Sequence, residues 1–326
     1  MNILFFDLEC ANRFNGIGKI CEFGAVLVDI NFNFIHQYSF CMSPGKGNGN
    51  RFDKKFWDEM AKLPYTHKPS YYFKCPLFNH FYRKIRHLLD NKKNLVFGYA
   101  VNCDCSYLND CIMRYHLPTF QYDAYDLLPI IKQYSNVICH GLEDSYHAIC
   151  KDSNQANLKA HLAVDDALMT MRIAKHLCNA LNINIWQLIA KCPTCKLDVK
   201  KYLIEKQEQR RKKKELQHQH HLLHQKWHQF CDQYKSTSFS NSHPKIALSD
   251  SIIHHAGDLD KTINRIKELK LVPCLHHEDA LYYLVATDDQ RAKLINDNKI
   301  KSNVILTLNE LIESTNNVSI SKQSLN

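Results

Sequence analysis

The chain has 326 residues, of which 45% are hydrophobic, and a formal net charge of +9 at pH 7. This length supports two modest domains, and the apolar content is sufficient for buried cores. No apolar run is long enough to cross a bilayer, and a strand is predicted from Asn2 onward, so we expect neither a membrane span nor a targeting peptide. We expect a cytoplasmic protein whose 14 cysteines are reduced thiols.

The chain opens with a short apolar run, residues 2–10, that is typical of a buried strand. Side chains alternate between the two faces of a strand, so Asp7 and Glu9 point the same way while Leu8 returns to the core. Two carboxylates at the end of a buried strand repel each other, and a hard divalent cation between them removes that cost. The alternative is a strand end whose acids are simply solvated.

The segment that follows the first strand predicts a β-hairpin. Residues 19–29 are apolar and rich in β-formers, and residues 34–42 can pair back with them. Glycines then crowd residues 43–50, which predicts a loop that serves either as a functional segment or as a connector.

A third acid lies at the end of residues 95–104, which predict a strand running into a turn, and residues 105–115 then predict a helix. Asp104 is placed at or near the N-cap of this helix, where structural capping is the simpler explanation. Asp110 is a rival acid, but it lies inside the helix and would have to face the sheet.

A long amphipathic helix is predicted to begin near Ala160 and to reach about Asn179. His161 precedes the helix and Asp166 follows five residues later. The His161 side chain can therefore lie close to the point toward which the Asp166 side chain is directed. Asp165 points elsewhere, since successive helical residues are about 100° apart. Taken alone, a histidine before a helix is more often a cap or a surface residue than a general base, and the case for a site rests on the whole set.

Three segments together resemble the three exonuclease motifs of the DEDDh (DnaQ-like) 3′–5′ exonuclease family. The resemblance spans roughly residues 1–180, and the segments 20–26 and 125–128 are also similar to the family. The three motifs are Phe6-Asp7-Leu8-Glu9, the stretch from Gly98 to Leu108 with Asp104, and His161-Leu162-Ala163-Val164-Asp165-Asp166-Ala167.

The resemblance implies an α/β, RNase H-like fold with a mixed sheet and flanking helices. It also implies a site in which two Mg²⁺ or Mn²⁺ ions are held by four carboxylates and His161 serves as general base for the attacking water. Such ions stabilise the attacking and leaving oxygens of a phosphodiester. The metal ligands implied are Asp7, Glu9, Asp104 and Asp166.

The positive charge is concentrated after this region, with twelve Lys and Arg against five Asp and Glu between Lys191 and Lys235. With no Gly, and no Pro after Pro193, the stretch predicts one long polar helix from Leu197 to about Tyr234. It is either a solvated spacer or an arm that follows the phosphates of a nucleic acid. Its most basic part is Arg210, Arg211, Lys212, Lys213 and Lys214.

A single Cys-x-x-Cys knuckle, Cys192 to Cys195, precedes this helix. Zinc requires four ligands, and histidines such as His220 and His224 are the nearby candidates, with no second knuckle. Ordinary reduced cysteines are the simpler interpretation.

A small α/β domain is predicted from Lys245 to about Glu313. Its predicted order is strand 246–253, helix 259–270, strand 271–275, strand 281–287, helix 290–298, strand 304–307 and helix 308–313. This order is similar to that of a BRCT domain, which would imply a protein partner or a DNA end as ligand.

We therefore expect an exonuclease domain at 1–182, a basic helical linker at 183–244, a BRCT-like domain at 245–314 and a disordered tail at 315–326. The leading hypothesis is a 3′–5′ exonuclease that acts on single-stranded DNA or DNA 3′ ends in proofreading or repair. The alternatives are an exoribonuclease of the ribonuclease T or oligoribonuclease type and a catalytically silent nucleic-acid-binding adaptor.

Overall fold

A computed structural model describes residues 1–14, 17–45, 67–134, 141–150, 158–234, 243–297 and 304–313, with the backbone alone described at residues 12–14, 17 and 296. Most of the glycine-rich loop and the predicted tail lie outside these residues. The chain divides into two compact units, Met1–Gln207 and Glu208–Asn326. The domain limits expected from the sequence remain predictions.

The first unit is built on a six-stranded mixed sheet with the order β3-β2-β1-β4-β5-β6. The first three strands are antiparallel neighbours, β4 and β5 run parallel to β1, and β6 is antiparallel to β5. The strands are β1 (Asn2–Phe14), β2 (Ile17–Asp29), β3 (Phe34–Cys41), β4 (Asn94–Gly98), β5 (Ala124–Asp126) and β6 (Lys196–Leu197).

Helices flank this sheet, which confirms the predicted α/β fold with a mixed sheet and flanking helices, and also the predicted hairpin of β2 and β3. The helices of the first unit are α1 (Pro69–Lys74), α2 (Phe78–Leu89), α3 (Asn102–Arg114), α4 (Leu127–Tyr134), α5 (Leu142–Ile149), α6 (Ala163–Ala180) and α7 (Ile185–Lys191).

The alternation of β1 separates two hydrophobic cores, one on each face of the sheet. Ile3 and Phe5 belong to the core that α6 covers. Leu4, Phe6 and Leu8 belong to the other core, with residues of α2 and α3. Both faces of the strand are therefore buried up to the point where the acids begin.

The first turn of α6 comes into direct contact with β2 at Gly24. A Cβ atom placed on Gly24 would lie 2.1 Å from both the carbonyl carbon of Ala163 and the backbone nitrogen of Val164. These are backbone atoms that cannot rotate away, so only glycine permits this approach. Gly24 pairs with Asp7 in the hairpin register, and the contact therefore brings the start of α6 beside Asp7.

A single long helix, α8 (Val199–Asp232), follows β6. This confirms the predicted helix to within two residues at each end. Its N-terminal part contributes Val199 and Leu203 to the core of the first unit. Its C-terminal part buries Trp227 and Phe230 in the core of the second unit.

The second unit contains a four-stranded parallel sheet with the order β10-β9-β7-β8. Its elements are β7 (Lys245–Leu248), α9 (Asp250–Ile253), α10 (Ala256–Glu268), β8 (Val272–Pro273), β9 (Tyr282–Val285), α11 (Asp288–Asn296), β10 (Val304–Thr307) and α12 (Leu308–Glu313). The predicted succession of strands and helices is present, while the likeness to a BRCT domain stays a prediction.

One predicted strand of this unit was too long. The strand expected at 246–253 ends at Leu248, and Ser249 begins the short helix α9. Ile252 and Ile253 are buried in the core by a helical turn instead. A short apolar run has the same appearance in a buried strand and in a buried helical turn, so the pattern alone did not separate them.

No helix in the described ranges is both long and apolar enough to cross a membrane.

The Gly24 contact predicts a large effect from one methyl group. We expect Gly24→Ala to lower the free energy of unfolding of the first unit by about 1–3 kcal/mol, because the added Cβ overlaps helix backbone. Urea unfolding followed by circular dichroism measures this. Gly257→Ala in α10 is the matched control, since a Cβ there meets nothing within 4 Å. An equally small effect of both substitutions would contradict the tight contact.

Candidate active site

The end of β1 presents two acids on one face of the sheet. Asp7 and Glu9 follow Ile3 and Phe5 on the side covered by α6, while Leu8 is buried in the opposite core. The alternation expected from the sequence is therefore present. The side chain of Glu9 is only 13% exposed, so the interpretation of Glu9 as a freely solvated acid is wrong.

The entry of α6 carries the histidine and the fourth acid. His161 lies two residues before the helix with a backbone φ of +63°. Its backbone N–H donates to Asp166 Oδ2 at 3.2 Å. The neighbouring Asp165 accepts a hydrogen bond from the backbone N–H of Lys159 at 2.9 Å. The two adjacent acids therefore serve different contacts, with Asp166 buried and turned toward His161.

Glu9, His161 and Asp166 meet in one cluster. Their ligand atoms all lie within 4.8 Å of one another. His161 Nδ1 is 3.7 Å from Glu9 Oε1. Burial raises the pKa of Glu9, and the charges of Asp7 and Asp166 raise it further. Carboxylates gathered in this way repel each other, and a cation between them relieves that repulsion.

Asp104 lies in the first turn of α3, which begins three residues earlier than the sequence indicated. Val101 is the N-cap residue of this helix, and no side chain caps it. The capping explanation for Asp104 is therefore wrong. Asp104 is 5% exposed, and its carboxyl group is repelled by Asp7 and Glu9. The rival acid, Asp110, accepts a hydrogen bond from the backbone N–H of Gly18 at 3.0 Å.

A second acid orders the turn that leads to Asp104. Asp126 Oδ1 accepts hydrogen bonds from the backbone N–H groups of Ala100 and Leu128, each at 2.9 Å. Ala100 has a φ of +50°, a conformation that an alanine adopts only when its surroundings hold it. Asp126 thus fixes the backbone between β4 and α3.

Burial raises the pKa of all four carboxyl groups, and the charges of neighbouring acids raise it further. Burial raises the pKa of Asp7 well above its usual range, and the charges of Asp166 and Glu22 raise it further. Burial also raises the pKa of Asp104, with Asp7 as the next cause. The pKa of Glu9 is raised to about 9 and that of Asp166 to about 7, in both cases mainly by burial.

The sequence reasoning gave no role to Glu22, which is part of the same electrostatic group. Glu22 pairs directly with Glu9 in the register of β1 and β2 and is 2% exposed. Its carboxylate accepts hydrogen bonds from the Tyr72 hydroxyl and, at 3.3 Å, from the backbone N–H of Ala163. The sequence signal for a role of Glu22 was its position: it is an acid within a mostly apolar strand that pairs with the strand of Glu9.

The predicted basic residues lie on an exposed part of α8. Arg211 forms ion pairs with Glu208 at 2.8 Å and with Glu215 at 3.3 Å, and Lys212 is 3.8 Å from Glu208. Part of the positive charge of this stretch is therefore balanced within the helix.

Both cysteines of the knuckle belong to the hydrophobic core of the first unit. Cys192 is 1% and Cys195 0% exposed. Among the described residues, neither belongs to a cluster of three or more candidate metal ligands. The structure therefore gives these two thiols a packing role.

No protein-family model matches the chain, and no curated protein matches it. Among solved structures, it is similar to E. coli exonuclease I in complex with a dA16 oligonucleotide, with 17% identity and a TM-score of 0.45 over 58% of this chain. It is likewise similar to the zinc-bound exonuclease I–ssDNA complex, with 18% identity and a TM-score of 0.44 over 56% of this chain. The chain spans 42% and 41% of the length of these two proteins.

The raised pKa values predict a pH-dependent stability in the absence of divalent cations. Above the ordinary carboxyl pKa of about 4, the folded chain binds more protons than the unfolded chain. The free energy of unfolding therefore falls as pH rises through the raised values. Between pH values of about 5 and 8, the free energy of unfolding should fall less in Asp166→Asn than in the parent. The difference between the two falls should be on the order of 2 kcal/mol.

Urea unfolding in EDTA measures this difference. Glu205→Gln, which removes an exposed acid on α8 within the first unit, is the control and should keep the pH dependence of the parent. The same pH dependence in Asp166→Asn and in the parent would contradict the shifted pKa.

Proposed function

We propose that the chain is a metal-dependent 3′–5′ exonuclease. The observation that carries this proposal is the cluster of Glu9, His161 and Asp166 within 4.8 Å. Asp7 and Asp104 are buried beside it, where the charge of Asp166 acts on Asp7 and the charge of Glu9 acts on Asp104. The resemblance of the same five residues to the DEDDh motifs supports the reaction class.

The donor set suits Mg²⁺ or Mn²⁺. Asp7, Glu9, Asp104 and Asp166 offer only carboxylate oxygens, which are the ligands that hard divalent cations prefer. Their pKa values are raised because the negative charges are buried together, and this is the condition that a bound cation relieves. Two such ions would supply charge stabilisation for the attacking and leaving oxygens of the phosphodiester.

His161 is suited to accept the proton of the attacking water. Its backbone is held by the hydrogen bond to Asp166, while its side chain is 54% exposed and faces Glu9 through Nδ1. The ring therefore reaches solvent from a fixed position. An imidazole so placed can act as a general base on a bound water.

The substrate we propose is single-stranded DNA or a DNA 3′ end, in proofreading or repair, and RNA is the alternative. The basic stretch of α8 supports a nucleic acid as the polyanion. The parallel sheet of the second unit agrees with the predicted BRCT-like order and leaves a protein partner or a DNA end as its proposed ligand.

The enzyme proposal predicts loss of activity at defined positions. We expect release of mononucleotides from 5′-labelled single-stranded DNA with Mg²⁺ or Mn²⁺, measured by gel electrophoresis. Asp7→Asn and Asp166→Asn should lower the rate by at least about 10³-fold, because each removes a cation ligand. His161→Ala should lower it by about 10²–10⁴-fold, the range for general acid–base catalysis.

Asp165→Asn is the matched control, since Asp165 is adjacent to Asp166 but bonds the Lys159 backbone; it should keep the parent rate within a few-fold. Parallel digestion of RNA of the same sequence distinguishes the two substrates. Intact DNA and RNA after incubation with purified protein and Mn²⁺ would contradict the enzyme proposal and favour the adaptor.

We further propose that the basic stretch of α8 contacts phosphates. Arg211 and Lys212 are engaged with Glu208 and Glu215. Among the described residues, Lys213 and Lys214 form no ion pair within 4.0 Å and their side chains are exposed. They are the strongest candidates for phosphate contacts because no intrahelical pair has to be broken.

If the basic stretch of α8 contacts phosphates, the double substitution Lys213→Ala/Lys214→Ala should reduce the salt dependence of DNA binding. The slope of log affinity against log salt should fall by about 0.7 for each single-strand phosphate that the variant no longer neutralises. Fluorescence anisotropy in EDTA measures the slope without cleavage. Lys261→Ala with Lys267→Ala on α10 removes equal charge elsewhere and is the control. An unchanged slope in the α8 variant would make this stretch a spacer.

A further inference from the structure

Two histidines from different elements meet in the second unit. His224 on α8 and His254, which follows α9, approach with their Nε2 atoms 2.9 Å apart. The two residues are 30 positions apart in the chain, so no short sequence motif contains them both. Without another ligand, two facing imidazole nitrogens interact only when one of them carries a hydrogen and the other does not.

An acid completes this cluster. Asp250 Oδ1 is 3.6 Å from His224 Nε2, and the ligand atoms of His224, Asp250 and His254 all lie within 4.8 Å of one another. Asp250 is the first residue of α9, and His254 directly follows its last residue. Residues four positions apart on a helical turn lie side by side. The Asp250 side chain is 77% exposed, so the cluster opens to solvent.

The helices that carry the cluster are held together by a hydrophobic core. Trp227 and Phe230 of α8 share this core with Ile252 and Ile253 of α9. An ion pair between Lys226 and Asp260 also links α8 to α10. The ligands therefore lie on fixed elements.

The ring of His254 is also fixed in orientation. It stacks on the ring of His220 with a centroid distance of 3.8 Å and an interplanar angle of 4°. His220 lies one turn before His224 on α8, so the same helix supplies one ligand and the support for another. A supported ring loses less freedom when its nitrogen binds a ligand.

The donor set is that of a borderline divalent metal ion. Imidazole nitrogens with a carboxylate oxygen suit Zn²⁺ among the common metals. Tetrahedral zinc with bonds of about 2.0–2.1 Å separates two nitrogen ligands by roughly 3.3 Å. The observed 2.9 Å is short of this by an amount that a small rotation of either side chain supplies.

We propose that His224, Asp250 and His254 form a zinc site in the second unit, with the open coordination position facing solvent. The site joins α8 to the turn after β7, so zinc bound there would stabilise this unit. It is independent of the carboxylate site and of the proposed exonuclease activity.

Zinc binding by untagged full-length protein tests this proposal. The parent for the experiment carries Asp7→Asn and Asp166→Asn, which weakens binding at the carboxylate site. Isothermal titration with Zn²⁺ should show one equivalent bound at the histidine site. We expect His224→Ala and His254→Ala each to raise the dissociation constant at least about tenfold, and zinc to raise the thermal midpoint only where the site is intact.

His221→Ala is the matched control, because His221 is exposed on the same helix and contacts Gln225; its zinc affinity should stay within twofold of the parent, about the scatter of a titration. Asp250→Asn, at an exposed position, separates ligand loss from misfolding, and circular dichroism in EDTA checks all variants. Unchanged zinc affinity in the His224→Ala/His254→Ala double variant, or no zinc bound by the parent, would leave a plain His–His hydrogen bond and overturn the proposal.

Discussion

The contact between β2 and the first turn of α6 at Gly24 is the constraint on which the candidate active site depends. Helix backbone occupies the place of a side chain there, so α6 begins directly on the sheet beside Asp7. Asp166 follows in the first turn, and His161 lies just before it. Glu22 reinforces the same junction, since its carboxylate bonds the Ala163 N–H. The site is therefore a consequence of how closely one helix meets one hairpin.

This arrangement has an electrostatic cost that the rest of the unit has to offset. The carboxyl groups of Asp7, Glu9, Asp104 and Asp166 are gathered where burial opposes their ionisation. His161 adds a left-handed backbone conformation, which costs on the order of 1–3 kcal/mol at a non-glycine residue. The two hydrophobic cores that enclose β1 supply the compensating stability. Local features of this kind are concentrated at functional sites, where they hold groups ready for a ligand.

Local patterns predicted much of this architecture. Strand alternation placed Asp7 and Glu9 on one face, and charge with the absence of Gly and Pro predicted α8 to within two residues of its ends. The patterns were less successful where the outcome depends on tertiary contacts. The pattern places the helix start at Cys105, so that Asp104 has the position of a cap, whereas the helix begins at Asn102. The apolar pattern of residues 250–253 predicts a strand where the structure has a helical turn. Glu22 lies opposite Glu9 because of the register between β1 and β2. The predicted hairpin of β2 and β3 does not specify that register.

The pairing of His224 with His254 could not be predicted from local pattern at all. The sequence pattern offers His224 as a zinc ligand only beside Cys192 and Cys195, which are the nearest residues with zinc-binding spacing. The structure buries those cysteines in a core and brings His224 to a residue 30 positions further along the chain. His224 lies beside His254 because Trp227 and Phe230 of α8 pack in the core of the second unit with Ile252 and Ile253, and such packing depends on burial of apolar surface rather than on any motif.

The most direct test of the central claim is to locate cations in crystals of the protein soaked in Mn²⁺, by anomalous diffraction. Convergence of the acids beside Gly24 predicts two anomalous peaks about 4 Å apart, in contact with carboxylate oxygens of Asp7, Glu9, Asp104 and Asp166. No peak among these carboxylates, or an Asp104 carboxyl group that contacts neither ion, would contradict the account.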